Sequence, residues 1–418
     1  MNENNNMEVI TGGDFKRMVA GAYSELLLEY EKINSLTGSG ELAGTHILRT
    51  MGAAIMPLAD VKDDSLGGLA RRVATAAIFG ARGNAGVVLA QLFRGIAKGL
   101  IGKYDATSSE FGKAFQYGVL YAQRIIPDRP DRSFITAAKA VAKGAYHSVR
   151  NNETITEILT AAYNAGETSY VQKAEKDAGA TIMLSFMSGC LKGLDGNFVS
   201  PAVSLSLGLN ARHRDMPDPR QDVVKPYCVI FKVKNTKLDI TSLETQLKEY
   251  GSFALIEPQE DGVRVHIHTD HAGGVLEQAT GWGPLRDIRI TNMSETHALG
   301  VNNAIMKVAA LAVAEDDKAA EELQEAGASV IVHGSPRCCP SVAELVSAAH
   351  SDIAASYVLV AACENYHLVF KEAKRLLGNR VELVLLDEHK KELAALRAFD
   401  TGLSAKENAE IMQKRGQN

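Results

Sequence analysis

The sequence predicts a multi-domain α and α/β protein, and three observations carry that prediction. Apolar residues recur with a helical period from about Asp14 to Leu194. Residues 226–297 alternate short strands and helices in βαββαβ order. From Lys307 onward, β-branched apolar runs alternate with amphipathic helices. The expected divisions are an all-α domain at 1–196, a linker at 197–225, an α+β domain at 226–300 and an α/β domain at 301–418.

The amino-terminal segments FKRMVAGAYSELLLEYEKI, LGGLARRVATAAIFGA and ITAAKAVAKGAYHSV place apolar residues at i, i+3, i+4 and i+7. Several are apolar on most faces, which predicts a closed bundle with buried members. The stretch NFVSPAVSLSLGLNARHRDMPDPRQDVVK has no period and carries Pro201, Pro217 and Pro219, so it reads as a linker. In the middle region PYCVIFKVK, SFALIEPQ, GVRVHIHT and LRDIRITNM read as strands, with ITSLETQLKEYG and AGGVLEQATGWG as helices. That order is the ferredoxin-like arrangement. Val263, Val265 and Ile267 alternate with Arg264, His266 and His268, so one face is expected to be buried and the other to present the histidines. At the carboxy-terminal end VAALAVA, ASVIVHG, YVLVAA and VELVLLD are strands of a parallel, doubly wound sheet. The helices between them are DDKAAEELQEAG, SVAELVSAAH and LVFKEAKRLLG, and ALRAF and AKENAEIMQKRG close the chain.

At 418 residues with 46% hydrophobic content, the chain is long enough for several cores. Its formal net charge of -5 argues against a surface that coats nucleic acid. The five cysteines, Cys190, Cys228, Cys338, Cys339 and Cys363, are odd in number and scattered, which fits a reducing compartment. MNENNNMEV lacks the apolar stretch of a signal peptide, and no apolar run reaches the roughly 18 residues of a membrane span. A cytoplasmic location is expected.

Three glycine-rich turns precede helices. Gly80-Ala81-Arg82-Gly83-Asn84-Ala85-Gly86 is followed by the apolar VVLAQLFRG. Such a turn exposes backbone N–H groups at a helix start, where a phosphate is held by hydrogen bonds and by the helix dipole. The competing reading is a tight turn whose glycines only permit close packing. The other two turns are Gly38-Ser39-Gly40-Glu41-Leu42-Ala43-Gly44-Thr45-His46 and Asp177-Ala178-Gly179-Ala180-Thr181. On the third strand of the middle domain, His266 and His268 leave the same face, and Cys228 lies on the neighbouring first strand. Two imidazoles and a thiolate suit zinc, with His297 as a fourth ligand and His271 or Asp270 as local alternatives. A solvent-facing histidine pair beside an ordinary buried cysteine is equally compatible with the spacing. In the carboxy-terminal domain, the loop His333-Gly334-Ser335-Pro336-Arg337-Cys338-Cys339-Pro340 follows a strand, and Cys363-Glu364-Asn365 ends the next. Ser335, Arg337, Cys338 and Asn365 would line a crevice at that edge, where open α/β sheets bind ligands.

GARGNAGVVLAQLFRG resembles GARGNSGVILSQLFRG in the DhaL domain of the kinase component of bacterial fatty acid kinase, a branch of the dihydroxyacetone-kinase superfamily. INSL and GTHI resemble parts of the family's VNSLNVFPVPDGDTGTNM, and DAGAT its DAGG turn. PYC, VRVHIHT, NMSETH and ALRAFDTGLSAKENAEIM also have counterparts, so the likeness runs through nearly the whole chain. The resemblance implies a DhaL-like helical barrel with ATP at one mouth, a zinc site at Cys228, His266 and His268, and a partner in the form of a separate fatty-acid-carrying protein. It implies that the carboxy-terminal domain mediates interaction or dimerisation, so a homodimer is an allowed assembly. Transferred residue by residue, it assigns Gly83, Asn84 and Gly86 to phosphates, with Gly44 and Thr45 beside them. Arg82 becomes a charge clamp or pairs with a helix end.

The family's DGDTG turn supplies the aspartates that carry magnesium. Here the segment is shortened, and Gly-Glu-Leu-Ala precedes Gly44-Thr45, leaving Glu41 as its only carboxylate. Phosphoryl transfer relies on metal ions that neutralise phosphate oxygens. A rebuilt magnesium site would draw on Glu41 and Asp177, while Asp60, Asp63 and Asp64 read more simply as loop charges and caps. Two functions are therefore expected to compete: an ATP-dependent phosphotransferase, and a pseudokinase that binds and regulates without magnesium-dependent turnover.

Overall fold

The computed structural model describes residues 9–37, 42–58, 65–125, 133–149, 154–171, 177–196, 227–234, 240–247, 250, 254–259, 261–269, 271–292, 306–335, 337–349 and 354–417. The expected linker lies outside the described residues, as do Glu41, Asp60, Asp63, Asp64, Asp270 and His297 and the side chains of Cys228, His266 and His268. The described chain divides into two compact units. One comprises Met1–Asn210, Met306–Ala349 and Ile353–Asn418, and the other is essentially Ala211–Ile305.

The first unit begins with a helical bundle: α1 (Gly12–Leu36), α2 (Ala43–Ile55), α3 (Leu66–Gly80), α4 (Gly83–Gly99), α5 (Ser108–Ile125), α6 (Ser133–Val149), α7 (Ile155–Val171) and α8 (Ala178–Leu194). Thr11 and Asp14 form a reciprocal capping box that starts α1. Just before it, strand β1 (Val9–Ile10) pairs antiparallel with β2 (Ala106–Thr107). Small residues set how closely the helices approach. A Cβ on Gly21 of α1 would lie 2.1 Å from the carbonyl oxygen of Gly189 on α8, so the two backbones touch there. Helix α4 is an interior member, with every residue from Gly86 to Phe93 buried. That agrees with its apolar composition on nearly all faces.

The same unit continues into an α/β layer of β7 (Met306–Ala314), β8 (Val330–His333), β9 (Ala354–Ala361) and β10 (Val381–Leu385). The four strands are parallel in the order β10-β9-β7-β8. Its helices are α11 (Asp317–Ala326), α12 (Val342–Ala349), α13 (His367–Leu377), α14 (His389–Leu396) and α15 (Ala405–Gln417). The two-residue period of β7 sorts its side chains between two cores. Val308, Ala310, Ala312 and Ala314 join Leu323, Leu396 and Met412 on one side. Ala309, Leu311 and Val313 belong to a core that continues without a break into the helical bundle. Helices α12 and α13 pack on α3 and α4, so the sheet is doubly wound and one of its helical layers is also wall to the bundle.

The second unit contains β3 (Tyr227–Lys234), α9 (Ile240–Leu247), β4 (Ala254–Gln259), β5 (Gly262–Thr269), α10 (Ala272–Thr280) and β6 (Leu285–Asn292). Its antiparallel order, β4-β5-β3-β6, is the ferredoxin-like arrangement expected of βαββαβ. Val229, Phe231, Val233, Val263, Val265 and Ile267 face Leu243, Leu247, Val275 and Trp282. The opposite face is not uniformly open, because Arg264 is buried. Among the described residues, no helix is long and apolar enough to cross a membrane.

Candidate functional site

The glycine-rich turn is the hinge between α3 and α4. Gly83 has φ +61°, a left-handed conformation in which side chains are strained, and it lets the chain turn sharply into α4. The preceding Arg82 is the N-cap residue and is extended, and its side chain supplies no cap to the helix. The start of α2 comes to the same place. Gly44 presses on the Tyr30 carbonyl of α1, where a Cβ would lie 2.0 Å from the oxygen. The Thr45 N–H donates to Asn34 Oδ1 at 3.1 Å, and Asn34 Nδ2 donates to Thr45 Oγ1 at 2.9 Å. One turn on, Thr50 Oγ1 accepts the Arg82 N–H at 3.2 Å. A Cβ on Gly83 would come 2.6 Å from His46 Nδ1, and one on Gly86 2.4 Å from Thr50 Oγ1. The fold thus sets Gly44 and Thr45 against α1 and brings His46 and Thr50 to the Arg82–Gly86 segment, whose two glycines allow α2 and α4 to meet closely.

The other side of this junction is the carboxy-terminal α/β layer. The backbones of Arg82 and Ser341 form an antiparallel bridge, and Val342 N–H donates to the Ala81 carbonyl at 3.1 Å. The Arg82 guanidinium donates to the Cys339 carbonyl at 2.8 Å and to Glu344 at 3.0 and 3.3 Å. Glu344 also accepts the Ser341 N–H at 2.6 Å while Ser341 Oγ accepts the Glu344 N–H, a capping box that opens α12. Asn84 is engaged at both ends, donating to the Glu364 carbonyl at 3.1 Å and accepting the Leu368 N–H at 3.3 Å. Farther along α4, Gln91 donates to the buried Glu372 at 2.9 Å. The expected crevice of Ser335, Arg337, Cys338 and Asn365 therefore faces the bundle over part of its length. Ser335 and Cys338 are buried, Arg337 is exposed, and Arg49 of α2 reaches Cys338 Sγ at 3.4 Å.

Burial controls the electrostatics. It lowers the His46 pKa to about 4, helped by the charges of Arg49 and Arg82, so the ring is neutral. Its Nε2 accepts the Cys339 N–H at 3.3 Å, which places the ring proton on Nδ1. Nδ1 lies against Gly83, and the Arg337 backbone also bonds the ring. Burial pushes the Cys339 thiol up, although the Gly83 N–H beside its sulfur pulls the other way, so the thiol is protonated. Burial works to discharge Arg82, but the Glu344 carboxylate, with Cys338 and Cys339 adding to it, raises its pKa overall.

Asp177 is the N-cap of α8, and its Oδ1 accepts the Gly179 N–H at 2.8 Å. Its companion Glu41 lies outside the described residues. In the second unit, the ladder sets Cys228 directly across from His268, with His266 two positions away on the same strand. Because Val229, Val265 and Ile267 face the core, positions 228, 266 and 268 fall on the opposite face. Residues directly opposite in such a ladder have Cβ atoms about 5 Å apart, a spacing that suits two ligands of one zinc ion. Among the described residues, no three His, Cys, Asp or Glu side chains gather as a metal site.

In the sequence, His46 stands out only as the end of a turn, and Glu344 only as one residue of a helix. GTHI, which resembles the family's GTNM, is the available signal for His46. Glu344 has none, because its role depends on a partner 262 positions away.

Comparison with known proteins places all three regions. The DAK2 domain model matches residues 43–192, the FakA-like middle domain of fatty acid kinases matches 225–299, and the FakA-like C-terminal domain matches 309–418. Protein YloV of Bacillus subtilis is 26% identical over 396 residues, covering 87% of this chain and 72% of the relative. An uncharacterized protein of Staphylococcus epidermidis is 24% identical over 401 residues, covering 88% and 72%. One of Staphylococcus haemolyticus is 22% identical over 397 residues, covering 87% and 72%. With its helical, ferredoxin-like and α/β parts each matched in turn, the chain belongs to the FakA-like family of fatty acid kinase proteins that carry a DAK2 domain.

Proposed function

We propose that this chain is a nucleotide-binding, kinase-like protein that works with a separate fatty-acid-carrying partner. The observation that carries this reading is the packing of His46 and Thr50 of α2 against Arg82, Gly83 and Gly86 at the start of α4. The start of α4 offers donor N–H groups and the positive end of one helix dipole to an anion. Phosphates would lie against Gly83, Asn84 and Gly86, with Thr45 beside them. Zinc would be held by Cys228, His266 and His268 in the second unit, with His297 as a fourth ligand.

A second reading, a pseudokinase, is favoured by the carboxylates. The turn before Gly44 has lost the family's aspartates, and Asp177 is already occupied as a helix cap. Magnesium usually requires one or two protein carboxylates besides phosphate oxygens. Calorimetric titration with ATP, once with magnesium and once with EDTA, separates the two. Binding that tightens with magnesium supports the phosphotransferase, and magnesium-indifferent binding supports the pseudokinase. If ATP binds in neither condition, the nucleotide site is removed from both readings.

A further inference from the structure

The groups that a phosphate would use at the start of α4 are held by the chain's own carboxy-terminal layer. The Gly83 N–H lies against the Cys339 sulfur, and Cys339 is fully buried. The Arg82 guanidinium is divided between Glu344 and the Cys339 carbonyl. Both functional ends of Asn84 are bonded to the segment between β9 and α13. Gly83 and Gly86 are buried. A phosphate seated on this turn would need the same N–H groups and the same guanidinium, so phosphate and the docked layer compete for them.

The neutral His46 ring accepts the Cys339 N–H and also bonds the Arg337 backbone, so α2 and the docked layer share this ring. Besides the apolar core that the layer shares with the bundle, the contact uses polar groups, notably Glu344, which serves α12 and Arg82 at once.

We infer that the carboxy-terminal α/β layer is an intramolecular lid on the glycine-rich turn, so that docking and nucleotide binding exclude each other. The inference rests on the nucleotide-binding reading above and adds its regulation. When only a fraction of molecules is open, apparent affinity falls in proportion to that fraction. By the same linkage, nucleotide drives the layer away from α2 and α4.

The test uses the full chain and ADP, which cannot be turned over. Two variants weaken the lid by different means. Glu344→Gln removes the charge that holds Arg82. Leu368→Pro removes the N–H that bonds Asn84 together with a side chain buried in the shared core, and leaves every charge in place. Circular dichroism confirms folding, hydrogen exchange reports on amides 83–88, and calorimetry reports ADP affinity. Slow exchange is expected in the unaltered chain, with exchange and affinity each rising at least tenfold in both variants. If one variant fails to fold, the other decides by the same two readouts. Equal ADP affinity in variants and parent, with exchange accelerated, overturns the lid while leaving the nucleotide site standing. An affinity gain in Glu344→Gln alone, without faster exchange, is a local charge effect and also overturns it. If no protein binds ADP, the nucleotide reading itself falls and the lid falls with it.

Discussion

Arg82 and Glu344 meet 3.0 Å apart, between the residue that precedes an interior helix and the capping residue of another, with side chains only 19% and 18% exposed. The pair joins sequence segments that periodicity assigns to different domains. A pair this shielded differs from a surface ion pair, because removing one partner strands the other charge in a poor solvent. Some water access remains, so the interaction falls short of a fully buried pair.

Truncating Glu344 to alanine should destabilise the first unit by about 2–3 kcal/mol, combining a stranded guanidinium with a lost helix cap. Glu344→Gln, which keeps a capping oxygen, should cost less. Chemical denaturation checks both, and a cost for Glu344→Ala within error of zero would mean that the pair does not form in solution.

Gly83→Ala and Gly86→Ala should each destabilise by about 1–3 kcal/mol, through overpacking against α2 and, at Gly83, through left-handed strain as well. Gly102→Ala isolates the strain, because its φ is +74° and nothing lies within 4 Å of its Cβ position. The measurement is the unfolding midpoint of the three variants. A Gly86→Ala loss no larger than that of Gly102→Ala would contradict the close approach of Thr50.

Asp177→Ala should cost about 1 kcal/mol as a lost N-cap, and Asp177→Asn should recover most of it because asparagine caps equally well. ATP titrations with magnesium provide the contrast. Metal-dependent binding lost in Asp177→Asn, despite normal stability, would assign this carboxylate to a metal instead of the helix.

Glu392 sets a pH dependence. It is buried beside His389 Nδ1 at 3.0 Å, its Oε1 has no partner, and burial raises its pKa from 4.5 to about 7. The folded chain therefore binds this proton more tightly than the unfolded chain. The stabilisation is complete below about pH 4.5 and is lost as the pH rises toward 7. Glu392→Gln should flatten that limb and raise stability at pH 8 by up to about 3 kcal/mol. Denaturation of both proteins between pH 5 and pH 8 tests this, and parallel curves would exclude it.

Purified protein should carry one zinc ion per chain, read by elemental analysis, and His268→Ala should abolish it. Equal zinc content in the parent and His268→Ala would remove the ladder face of β5 as the site.

The element types were legible because each rests on local periodicity. VAALAVA alternates between two faces, and GGVLEQAT has a helical stripe, whatever surrounds them. The βαββαβ order even implied that β3 and β5 would be neighbours, which sets Cys228 across from His268. The family was legible for a related reason, since GARGNAG and VRVHIHT are contiguous strings. What these glycines and polar side chains touch was not legible. Gly83 and Gly86 read equally well as a phosphate cradle or as packing glycines, because both roles require a missing Cβ. Only the arrival of His46 and Thr50 against them shows that both glycines also serve close packing. Arg82, Asn84 and Gln91 find their partners 262, 280 and 281 positions away, at Glu344, Glu364 and Glu372. Hydrogen bonds and ion pairs over such separations leave no periodic trace in the chain, so the covering of the glycine-rich turn belongs to tertiary packing alone.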